Sequence, residues 1–155
     1  MTHLGFERFA VVGMCIGGPY ILNLLKLAPQ RVVASVVMQT IGRDNNRQEF
    51  LAMFDGWADQ LHQSDPQRYG SEAMLGLRRR MFENDLTFMC MTESQVQELD
   101  APMLILDGAD TYHPAASSQR LAELQPQAER IHEWKLSPEL EVAADRVLGF
   151  FRDHL

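Results

Sequence analysis

Phe9-Ala10-Val11-Val12-Gly13-Met14-Cys15-Ile16-Gly17-Gly18 decides how the rest of the chain is read. Four apolar residues run into Gly-Met-Cys-Ile-Gly, and an apolar-periodic stretch from Tyr20 to Leu27 follows. That order predicts a buried strand, a sharp turn and a helix. So tight a turn forces its central residue into a strained backbone conformation. Gly13 and Gly17, two positions either side of Cys15, leave room for it. The Cys15 side chain is then lifted clear of the sheet, at the N-terminus of the next helix. Aligned N–H groups there favour negative charge and raise the thiolate fraction of a thiol.

Outward from this stretch, strands and helices alternate. Phe9 to Gly13 is apolar throughout, which suits a strand covered on both faces in a parallel sheet. Gly17 to Leu27 is the helix, with Pro19 in its first turn, where a missing N–H costs nothing. Arg31 to Thr40 (RVVASVVMQT) is a second strand, and strand–helix–strand with short links makes a right-handed unit. Pro102 to Gly108 (PMLILDG) is a third strand, Ala115 to Leu124 a helix, Ala128 to Trp134 a fourth strand with His132 inside it, and Pro138 to Leu155 a closing helix.

Residues 43–100 interrupt the alternation. Phe50, Met53, Phe54, Trp57 and Leu61 recur at three- and four-residue spacing, which predicts an amphipathic helix broken by Pro66 to Gly70. A second begins near Ser71, with Met74, Leu75, Leu77, Met81 and Phe82 apolar and Arg78-Arg79-Arg80 on the wet side. Thr92 or Ser94 caps a third. The expected architecture is a single α/β domain over 1–155. It is a small parallel sheet of about four strands with helices on both faces, and 43–100 is a helical cap-like insertion.

Bulk properties narrow the function. The chain has 155 residues, 46% apolar and 23% charged, a globular balance. Fourteen basic against 21 acidic residues give a net charge of −7, which argues against a nucleic-acid surface and for small-molecule or protein partners. Two cysteines, Cys15 and Cys90, make neither a disulfide framework nor a metal-ligand spacing, so no metal and no cofactor is expected and a cytoplasmic setting is the default. Cys90 sits among Phe88, Met89 and Met91 and reads as packing. No apolar run approaches the roughly 18 residues of a membrane span.

The Gly13-Met14-Cys15-Ile16-Gly17 turn between strand and helix resembles the nucleophile elbow of α/β-hydrolases, with cysteine in place of serine. From Phe9 to about Gly42 and from Pro102 to the end, the chain is similar to the later part of such an enzyme. The cysteine at the elbow resembles the dienelactone-hydrolase-like branch. The resemblance implies that Cys15 is a nucleophile and that the Ile16 N–H is an oxyanion donor. In such enzymes the loop supplying a second donor belongs to the earlier part, for which this sequence has no counterpart, so a truncated fold is expected. The resemblance places the triad acid in the loop after the third strand, where Asp110 matches and Asp107 matches less well. It places the histidine after the last strand, yet Lys135-Leu136-Ser137-Pro138 holds none. His113 and His132 are the substitutes, with His113 the better placed.

Each assignment has a plainer counterpart. Cys15 can also be a small core residue, Asp110 a helix cap, and His113 a polar residue ahead of a proline. The resemblance thus implies a Cys-nucleophile ester, lactone or thioester hydrolase of low activity. The alternative is a non-catalytic remnant that binds a small molecule or associates with itself. The elbow strand is expected at a sheet edge, exposed there unless a homodimer forms through it or the insertion covers it.

Overall fold

The computed structural model describes all residues from Met1 to Leu155. Four parallel strands lie in the order β1-β2-β3-β4: β1 Phe9–Cys15, β2 Val32–Thr40, β3 Met103–Leu106 and β4 Glu129–Ile131. The helices are α1 Gly17–Leu27, α2 Arg47–Ser64, α3 Ser71–Phe82, α4 Glu93–Gln97, α5 Ala115–Leu124 and α6 Glu139–His154. Both faces of the sheet are covered at β2 and β3, as their strand patterns require. Successive side chains of β2 and β3 point to opposite sides. Val37, Met103 and Ile105 pack with Leu22 and Leu25 of α1 and Leu121 and Leu124 of α5. Ala34, Val36, Leu104 and Leu106 pack with Ala143 and Phe150 of α6 and with Trp134. Each fully buried Leu, Ile or Val contributes about 1.5–3 kcal/mol through the water it excludes.

The last strand is shorter than its sequence pattern predicts. Ala128 to Trp134 reads as strand, yet β4 pairs with β3 only from Glu129 to Ile131. Its partner is four residues long, and no strand lies on its other side. Trp134 instead donates its indole N–H to the Asp107 carbonyl at 2.7 Å. His132 therefore lies just beyond the strand, not within it.

Between β2 and β3 stand α2, α3 and α4. Phe50 and Phe54 of α2 pack with Met74 and Phe82 of α3, Phe50 stacked on Phe82 with ring centroids 5.3 Å apart. Thr92 caps α4 through a complete capping box with Gln95. On the wet side of α3, Arg78 is held by Asp55 at 2.6 Å and by Glu83.

β1 pairs with β2 alone, so its outer backbone is a free sheet edge. On the face shared with α6, Val12 and Met14 remain 57% and 53% exposed. The insertion leaves these two residues uncovered.

Candidate active site

Cys15 ends β1 with φ +60°, in the left-handed region that a residue carrying a Cβ enters only under constraint. The constraint is close packing of the helix that follows. A Cβ on Gly13 would stand 2.9 Å from the carbonyl carbon of Gly17 and from Cδ1 of Ile21. A Cβ on Gly18 would overlap Thr40 Oγ1 and lie 2.6 Å from Thr40 Cβ. Gly17, read in the sequence as the second glycine giving room to the turn, meets nothing within 4 Å. The tight position on the helix side is Gly18. The Cys15 carbonyl accepts from Ile41 N–H at 3.2 Å, which ties the turn to the end of β2.

Ile16 stands at the N-cap of α1, which no side chain caps. The first N–H groups of the helix therefore have no partner within it. Cys15 and Ile16 are half-buried against the aromatic cluster of α2 and α3, so the thiol sits between the elbow and the insertion.

Asp110 and His113 come together in the loop after β3. The ring Nδ1 of His113 lies 2.8 and 3.0 Å from the two carboxylate oxygens of Asp110. Asp110 Oδ1 also accepts the backbone N–H groups of Tyr112 and His113, each at 3.0 Å. It does not cap α5, whose N-cap is Pro114. Partial burial alone would raise the Asp110 carboxyl. The His113 ring and the backbone N–H groups of His113 and Tyr112 more than offset this and hold it below the usual carboxylate range. Stability from such a carboxylate is present above its unfolded value near pH 4 and is lost as pH falls through the lower folded value. The loop is thus set at neutral pH. His113 Nε2 is buried and has no hydrogen-bond partner, so no bond joins it to Cys15. Tyr112 edges onto Phe50 at 5.3 Å, bringing this loop against the same cluster that Cys15 touches.

Asp107 is occupied otherwise. It is 6% exposed and accepts two bonds from Arg130, each 2.8 Å, and one from His132 Nδ1 at 3.0 Å. His132 is thus paired with Asp107, not with the elbow. Sequence reading missed the Asn46 side chain, which donates to the Gly42 carbonyl at 3.0 Å and to the Thr111 carbonyl at 2.8 Å. It joins the insertion to the loop that carries Asp110 and His113. Only its position in a polar run, Arg43 to Arg47, marked it.

The two thiols differ. Burial pushes Cys90 up to about 11, with Lys26 nearby opposing part of the rise. At pH 8 that leaves about one thiolate in a thousand at Cys90. Iodoacetamide at pH 8, followed by peptide mass spectrometry, is expected to alkylate Cys15 at least about tenfold faster than Cys90. Equal rates would remove the distinction.

No protein-family model and no curated protein matches the chain. Solved structures do match its fold. A meta-cleavage product hydrolase from Pseudomonas fluorescens IP01 is 18% identical with a TM-score of 0.66, over 99% of this chain and 68% of that one. An N-acyl homoserine lactone degrading enzyme is 18% identical with a TM-score of 0.62, over 96% of this chain and 70% of that one. An α/β-hydrolase from a Medee basin deep-sea metagenome library is 17% identical with a TM-score of 0.66, over 97% and 67%. The chain carries the α/β-hydrolase fold, over about two thirds of the length of these enzymes.

Proposed function

We propose that this chain is a cysteine-dependent hydrolase of esters, lactones or thioesters, working slowly. What carries the reading is the Asp110–His113 pair in a loop whose Tyr112 meets the same aromatic cluster as a cysteine held at positive φ in an elbow turn. Cys15 Sγ attacks the carbonyl carbon, and the electron pair of the C=O bond moves onto oxygen. Ile16 N–H donates to that oxyanion. His113, with Nδ1 fixed by Asp110, takes the thiol proton at Nε2 and returns it to the leaving alcohol or thiol. Water then attacks the acyl-cysteine, giving His113 a proton that passes to the departing thiolate. The free Nε2 is the atom this step needs. Because it makes no bond to Cys15, the thiol gains no activation from the ring before substrate arrives, which fits slow turnover. Residues 43–100 act as the cap, and the substrate is a small molecule. The lactone-degrading neighbour lends the substrate class some support.

A second reading rests on that missing bond and on the loop 135–138 without histidine: a ligand-binding or self-associating protein without turnover. In either case the free edge of β1, with Val12 and Met14 bare beside it, suits pairing with β1 of a second copy.

Short-chain p-nitrophenyl esters, followed through burst and steady state, test the mechanism. Wild type is expected to show a burst and slow turnover. Cys15→Ala is expected to lose both, and His113→Ala to lose steady-state turnover. A stoichiometric burst with no turnover would mean acylation without deacylation. Wild type indistinguishable from Cys15→Ala would sink the enzymatic reading.

A further inference from the structure

A cavity of about 270 Å³ opens between α1 and α3, beside the elbow. Ile16 and Ile41 come from the sheet side, Leu77 and Met81 from α3, and Met89 from the turn before α4. Seven of its ten lining residues are hydrophobic. Its volume falls just under the ~300–1,000 Å³ of sites for drug-sized ligands, so it suits a short chain or a single ring. One charged side chain lines it, Arg80.

Arg80 lies in a run with two other arginines, but its situation differs from that of Arg78. Arg78 is tied to Asp55 and Glu83, whereas Arg80 takes part in no ion pair. Lys26 adds a second positive charge near Cys90, another residue of the cavity wall. In a chain of net charge −7, an apolar cavity with an unpaired cation at its rim selects one chemistry.

The geometry points to a binding site for a short apolar chain or ring that ends in an anionic group. The apolar part fills the space between Ile16, Leu77, Met81 and Met89, and the anion pairs with Arg80. Two other cavities do not offer this. In the 220 Å³ cavity between α2 and α3, Arg78 is already neutralised by Asp55. The 350 Å³ cavity beside β4 has three hydrophobic residues among its eight, and its cation Lys135 shares the wall with Asp107, Glu133 and Glu139, which repel an anion.

The assignment rests on the proposed function only in so far as the ligand is called a substrate, because Ile16 belongs to both the cavity and the elbow. Met89 also has φ +60°, so its backbone is held in place where it closes the cavity. A wall fixed in this way presents a preformed surface, which lowers the ordering cost of binding.

Isothermal titration calorimetry at low ionic strength tests the site without requiring turnover. Hexanoate and hexyl phosphate are each expected to bind wild type more tightly than hexanol, and the tighter of the two names the head group. Arg80→Gln is expected to weaken both anions about three-fold, the size of one exposed ion pair, and to leave hexanol unchanged. Met81→Trp, which fills the cavity, is expected to weaken all three. Circular dichroism reports whether each variant folds, and Arg80→Gln, an exposed substitution, carries the test if Met81→Trp does not. Equal anion affinity in wild type and Arg80→Gln, or no saturable binding of any probe, overturns the assignment. The ester burst is read separately, so the failure of either proposal is visible without the other.

Discussion

Asp107→Ala is expected to destabilise the fold by about 3 kcal/mol in urea denaturation. The carboxylate is 6% exposed and accepts three side-chain hydrogen bonds, two from Arg130 and one from His132. Removing one member of a buried pair leaves the other charge without its partner, which costs about 3–5 kcal/mol. The lower end applies because Arg130 keeps 21% of its side-chain exposure and can partly rehydrate. The pair also joins the end of β3 to β4, a strand of three residues with little ladder of its own. Arg130→Ala should cost less, because His132 still donates to Asp107. The double variant should cost less than the sum of the two, and that difference measures the coupling. An additive double variant would mean that the bidentate contact contributes nothing to stability.

This pair shows where the sequence stops being legible. In the sequence Asp107 stands at the end of the third strand and Asp110 in the loop after it, and only that placement ranks them. What separates them is Arg130, 23 residues away on a neighbouring strand, and no local pattern announces that contact. The Asp110–His113 pair was legible because it is local: three residues apart in one loop, ahead of a proline that starts a helix. The same holds for the elbow, α1 and α5, each read with its observed helix boundaries, since periodicity and turn residues act within a few positions. β4 was over-read because its length depends on β3, which has only four residues to pair with. The sequence groups Arg80 with its two neighbours as solvated charge. Only the fold shows that Arg78 turns to acidic partners while Arg80 lines a cavity.

The two glycines after Ile16 should respond in opposite directions to the same substitution, and the contrast tests the elbow itself. Gly18→Ala is expected to destabilise by about 2 kcal/mol. The added methyl meets Thr40 at Cβ as well as at Oγ1, so rotating the threonine does not clear it, and overpacking of this kind costs about 1–3 kcal/mol. Alanine's better helix propensity, about 1 kcal/mol over glycine, offsets part of that. Gly17→Ala meets nothing within 4 Å and has no positive φ to lose. It is expected to be neutral or to stabilise by up to about 1 kcal/mol, through the reduced freedom of the unfolded chain. Urea midpoints at constant slope give both values. A measured order of Gly17→Ala, wild type, Gly18→Ala, from most to least stable, supports Gly18 as the residue that seats α1 against β2. Equal destabilisation would mean that the turn is closed as the sequence pattern alone suggests, by glycines placed symmetrically about Cys15. The alkylation rate of Cys15 in Gly18→Ala then carries the argument to chemistry. If helix packing is what holds Cys15 at φ +60°, loosening it lets the residue relax to negative φ, and the thiol leaves the raised position the elbow gives it. Slower alkylation in a folded Gly18→Ala protein is the expected result. An unchanged rate would show that the elbow holds its cysteine without help from the packing of α1.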